Sequence, residues 1–96
     1  MKLTEEPDVE DPIVVARSNM SGVWIGTATE MEGSTVRLTN AFRIWSWTGA
    51  LDTTAIAAHG VTTAKVGALA PEVVVFDVCD VVWATQAAWD SVAAHA

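Results

Sequence analysis

The chain is short of the residues that most often carry chemistry. It has one cysteine, Cys79, so no internal disulfide can form. Its two histidines, His59 and His95, are too few and too scattered to give zinc-ligand spacing with that cysteine. Cys79 sits in an apolar run, where a small buried residue is expected rather than a nucleophile. There is no Ser/His/Asp grouping, phosphate-binding loop or dinucleotide fingerprint; Gly22 and Gly26 enclose only Val23, Trp24 and Ile25. No catalytic residue, metal or cofactor is therefore expected. Positive charge is also scarce: five Lys and Arg stand against twelve Asp and Glu, a net charge of −7. Such a surface repels phosphate chains at long range, which argues against DNA or RNA as a partner. No apolar run approaches the ~20 residues of a membrane span, so no membrane partner is expected. The opening residues lack the basic start and apolar stretch of a signal peptide, and the expected location is cytoplasmic.

Against these absences, 51% of the residues are hydrophobic and only 18% charged, a balance that supports a packed core and excludes a disordered chain. The charge is unevenly placed. Residues 1–12 hold five acids (Glu5, Glu6, Asp8, Glu10, Asp11) against Lys2, interrupted by Pro7 and Pro12. This stretch reads as a flexible acidic tail. Residues 13–96 read as a single α+β domain: a small antiparallel β-sheet of about four to five strands with two short helices.

The β-branched run Ile13 to Arg17 predicts a first strand, and Ser18 to Gly22 is turn-like. Val23 to Met31 and Thr35 to Trp47 predict a long hairpin around Glu32-Gly33. Gly26 inside it predicts a bulge or a close approach. Asp52 or Thr53 can cap a short helix that ends at His59-Gly60. Lys65 to Leu69 suits a brief strand. Val73 to Trp83 is the most hydrophobic segment and is expected to form the central strand or strand pair. Asp77 and Asp80 would face opposite ways in a regular strand, so a break near Val78 is expected. Thr85 can cap a final helix from Gln86, with Trp89, Val92 and Ala93 on one face.

The stretch Val36 to Trp47 carries the most information. With period two, the even positions (Val36, Leu38, Asn40, Phe42, Ile44, Ser46) form a mostly apolar face. The odd positions (Arg37, Thr39, Ala41, Arg43, Trp45, Trp47) combine two guanidinium groups with two indoles. Guanidinium forks match phosphate oxygens, and indole faces stack nucleobases. Arg17 can join from the first strand, and Asn40 can bond a base edge. The same residues also suit an oligomer interface, where Trp and Arg are enriched.

Three segments bear a family resemblance. Ser21-Gly22-Val23-Trp24-Ile25-Gly26, then Val36-Arg37-Leu38-Thr39-Asn40-Ala41-Phe42-Arg43-Ile44-Trp45-Ser46-Trp47-Thr48-Gly49-Ala50, then Ala57-Ala58-His59-Gly60-Val61, look like a family of small phage and prophage proteins carrying an NARRxWxWxGA-type motif, in the same order. Through that motif the chain resembles the type-one Thoeris anti-defence sponges. The resemblance implies a small α+β homo-oligomer in the cytoplasm of an infected bacterial host. It implies a protein that binds and sequesters a cyclic ADP-ribose-type or cyclic oligonucleotide immune signal without cleaving it. It carries ligand-binding roles to Arg17, Asn40, Arg43, Trp45 and Trp47. Three departures stand out: Phe42 replaces the first arginine of the motif, Ser46 replaces an aromatic, and the family's aromatic before the Ser21-Gly22 segment is absent, with Asn19 and Met20 nearby instead. The alternative reading is a non-catalytic phage structural or interaction protein that assembles as a homo-oligomer.

Overall fold

The computed structural model describes residues 11–96; the acidic tail assigned to residues 1–12 lies almost wholly outside them. Eight elements follow one another: β1 (Ile13–Ser18), β2 (Gly22–Glu32), β3 (Thr35–Thr48), α1 (Thr53–His59), β4 (Thr63–Val66), β5 (Ala70–Val75), β6 (Val78–Trp83) and α2 (Gln86–Ala93). The antiparallel, sheet-dominated α+β architecture agrees with expectation. Among the described residues the strands number six rather than four to five. The extra one arises because the Val73–Trp83 run is cut in two and β5 begins at Ala70.

That run is not central either. The sheet order is β4-β3-β2-β1-β6, and β5 also pairs with β3. The outer edge of the 14-residue β3 is shared: Val36–Ala41 pair with β5 and Ile44–Thr48 with β4. β6 lies at the opposite end of the sheet, against β1. The break expected near Val78 is the two-residue link Phe76-Asp77, where Asp77 takes a left-handed φ of 54°. The link ties the two ends of the sheet together. Ser18 Oγ donates to the Phe76 carbonyl at 2.6 Å, Asn19 N–H to that of Asp77 at 3.1 Å, and Val78 N–H to that of Ser34 at 2.8 Å. The sheet is therefore curled, and its concave side is buried without a helix.

Two cores result. On the convex side Val15, Val23, Ile25, Phe42 and Ile44 pack against Ile56 and Ala57 of α1 and Ala88 and Val92 of α2. Inside the curl Val14, Ala28, Val36, Leu38, Ala41 and Val75 pack together. Adjacent Val14 and Val15 go to different cores and are both fully buried, which explains the unalternating first strand. Burying a side chain the size of Leu38 contributes about 1.5–3 kcal/mol. The helices are short and lean on this sheet rather than on their own propensity. Asp52 caps α1 by accepting from Ala55 N–H at 2.9 Å, and Thr85 caps α2 by accepting from Ala88 N–H at 3.0 Å.

β3 changes face midway. Asn40 has φ 49° and sits in a bulge, where the register steps from Thr27↔Thr39 to Ile25↔Phe42. Gly26 lies opposite: a Cβ there would fall 2.8 Å from the Ala41 Cβ, inside contact distance. The extra residue inverts the alternation. Val36 and Leu38 join the inner core with Ala41, whereas Phe42 and Ile44 turn to the helices.

Candidate functional site

The bulge revises the odd-numbered face. Arg37 alternates with Val36 and Leu38, and Arg43 follows Ala41 across the inversion, so the two guanidinium groups stand on opposite sides of the sheet. Arg37 is held between carboxylates: Nη1 bonds Glu72 and Nε lies 3.8 Å from Glu30 Oε2. At 3.8 Å that second contact is an ionic proximity rather than a hydrogen bond, and Nε has no hydrogen-bond partner. A second register step, between Ile44 and Ser46 against β4, separates the two indoles in the same way. Trp45 is 61% exposed, while Trp47 packs against the helix-side core and donates its Nε1 to the Ala50 carbonyl at 3.1 Å.

What remains together is Arg43 and Trp45. The Arg43 Cζ stands 3.8 Å from the centroid of the Trp45 ring, a cation–π stack. The stack is seated on backbone. Gly22 lies beneath the guanidinium: a Cβ there would stand 3.5 Å from Arg43 Nη2, an ordinary contact, so the left-handed backbone of the β1–β2 turn (φ 78°), rather than crowding, favours glycine. Trp24 is the cross-strand partner of Arg43, and its Nε1 donates to the Ser21 carbonyl at 3.1 Å. Gly67 N–H donates to the Arg43 carbonyl at 2.9 Å and fixes the other flank. Among the described residues no carboxylate pairs with Arg43, in contrast to Arg17 and Arg37.

The other expected site residues lie elsewhere. Arg17, on β1, pairs through Nε with Asp80 Oδ2 of β6 at 3.0 Å. With Trp47, Asp52, Thr53 and Thr54 this pair lines a cavity of about 400 Å³. Asn40 is spent on the bulge; its carbonyl accepts from Trp89 Nε1 at 2.9 Å, and it borders a separate hollow of about 180 Å³ with Ile13, Thr27, Leu69, Gln86 and Trp89. The five expected residues therefore form one stacked pair, one cavity-lining pair and one separate position. Gly67 and Thr54 carried no signal in the sequence, and Asp80 and Thr53 were read there only as marks of a strand break and a helix cap, because each gains a place in a site only through a neighbour distant along the chain.

Cys79 is not the buried residue that its apolar surroundings suggested. It is exposed on the edge strand β6, and its thiol donates to the Arg17 carbonyl at 3.3 Å. Among the described residues no three His, Cys, Asp or Glu side chains gather as a metal-binding group. No helix among those residues is long and apolar enough to cross a membrane.

No curated protein and no solved structure matches this chain. The family described as a domain of unknown function, DUF6948, matches residues 11–92, and so covers the described fold except for the last residue of α2 and the three residues after it. The chain belongs to the DUF6948 family.

Proposed function

We propose that this protein is a phage-encoded anti-defence sponge, which binds a cyclic ADP-ribose-type or cyclic oligonucleotide signal and sequesters it without cleavage. The observation that carries the reading is the Arg43–Trp45 stack: an exposed indole and a guanidinium without a carboxylate partner among the described residues, side by side on a glycine-lined surface. Arg43 supplies forked donors for a phosphate. The indole face turned away from Arg43 offers a stacking plate for adenine, worth ~1–3 kcal/mol per base. The net charge of −7 disfavours long nucleic acids, yet a single small anion feels mainly its nearest charges. The motif resemblance adds the ligand class and the cytoplasm of an infected host as the setting.

The stack is open on one side, and a homo-oligomer would close it. Met20 (79% exposed), Phe76 and Trp45 (61% each) and Trp83 (57%) leave apolar surface for such contacts. The same surface supports the second reading, a non-catalytic phage structural or interaction protein without a small ligand.

A thermal-shift and calorimetry screen with cyclic ADP-ribose isomers and cyclic di- and trinucleotides separates the two. A ligand of the folded state raises the melting temperature by mass action. Binding should fall at least tenfold in Arg43→Ala and in Trp45→Ala, and the ligand should return intact after heat denaturation. A cleaved product would defeat sequestration; no response to any of these compounds, with a stable oligomer in light scattering, would leave the assembly reading.

A further inference from the structure

The cavity on the helix side of the sheet is built from chemistry opposite to that of the Arg43 surface. Its volume of about 400 Å³ lies between Arg17 and Asp80 on the β1–β6 pair, Trp47 on β3, and Asp52, Thr53 and Thr54 at the start of α1. Among the described residues its ionised groups are one guanidinium and two carboxylates, so an entering phosphate meets net negative charge. Arg17 is already neutralised by Asp80, and this sets it apart from Arg43.

The groups left over are hydrogen-bonding ones. The Arg17–Asp80 bond runs from Nε to Oδ2, which leaves the terminal amino groups of Arg17 and Oδ1 of Asp80 for a further partner. Asp52 uses Oδ1 to cap Ala55 N–H and retains its other oxygen. Thr53 and Thr54 add hydroxyls that both donate and accept. One wall is an indole held rigid by the bond from Trp47 to the Ala50 carbonyl and by packing on the core. Mixed donors and acceptors beside a fixed aromatic plate suit a molecule whose hydroxyls each donate and accept and whose ring presents a C–H face. A simple amine would exploit the carboxylates but would stand against the Arg17 charge.

We propose that this cavity binds a neutral polyhydroxylated ligand of pentose or hexose size. The site is independent of the Arg43–Trp45 surface, from which the register step between Ile44 and Ser46 separates Trp47.

The test is titration of the full chain with D-ribose, methyl α-D-glucopyranoside, putrescine and inorganic phosphate, read by ligand-observed NMR. At least one sugar should bind in the millimolar range, with affinity lowered about tenfold in Asp80→Asn. Thr54→Val removes an exposed hydroxyl at little cost to the helix and should weaken the sugar several-fold, which keeps the test sound if Asp80→Asn perturbs the fold. Arg43→Ala should leave sugar binding unchanged while abolishing any nucleotide response, so the two sites fail separately. The proposal is overturned if neither sugar binds, if putrescine or phosphate binds in preference, or if Thr54→Val leaves sugar affinity unaltered in a folded protein.

Discussion

Arg17 and Arg43 are the same side chain on the same sheet, and the structure gives them different chemistry. Arg17 meets Asp80 across the β1–β6 pair at 3.0 Å and faces a cavity with a second carboxylate. Arg43 meets Trp45 at 3.8 Å, lies over Gly22, and has no carboxylate partner among the described residues. A guanidinium is always protonated, so the difference lies wholly in what surrounds the charge. One arginine is an internal ion pair with spare hydrogen bonds. The other is a cation spread over an indole and available to an anion. Counting arginines in a motif therefore says less about anion binding than counting the carboxylates that reach them.

The contrast depends on the Asn40 bulge, and the largest expected effect comes from removing the space that admits it. Gly26→Ala would set a Cβ 2.8 Å from the Ala41 Cβ, and the crowding should cost about 1–3 kcal/mol, read as a lower urea midpoint with unchanged slope. A variant as stable as the parent would mean that the two strands do not approach this closely. A smaller effect separates the arginines directly. Arg17→Ala removes an ion pair whose side chains are 51% and 45% exposed, so stability should fall by no more than about 1 kcal/mol, with the loss shrinking at high salt. Nucleotide affinity should survive that change; a loss equal to that of Arg43→Ala would return Arg17 to the anion site. The smallest effect concerns Cys79. Its exposed thiol should react with a thiol-specific reagent in the native protein, one equivalent per chain, with little change in melting temperature. A thiol that reacts only after denaturation would contradict the edge position of β6.

Much of the local structure was legible from local chemistry. Asp52 and Thr85 cap the helices as their hydroxyl or carboxylate oxygens predict, and the β2–β3 hairpin turns at Gly33-Ser34, one residue beyond the expected Glu32-Gly33. The conflict between Asp77 and Asp80 marked the place where the apolar run breaks. Gly26 flagged the bulge region, although the extra residue lies on the facing strand, at Asn40. The candidate site was legible in part. Arg43 and Trp45 are two residues apart on one strand, and they meet. Trp47 has the same spacing from Trp45 and turns away, because the step in register at Ser46 interrupts the alternation that period-two reading assumes. Arg17 could not be matched with a partner 63 residues away. The apolar run from Val73 to Trp83 looked central because hydrophobicity reports burial, and in a curled sheet strands at both ends also contribute to the cores.

By itself the amino-acid order determined the class of fold, the helix limits, and the pairing of one cation with one indole, since these rest on contacts between near neighbours. Only the tertiary structure decided which face each side chain of β3 occupies, which arginine is neutralised, and that Cys79 is exposed. Those outcomes turn on strand register and on the joining of the sheet's two ends, where a shift of a single residue exchanges inside for outside.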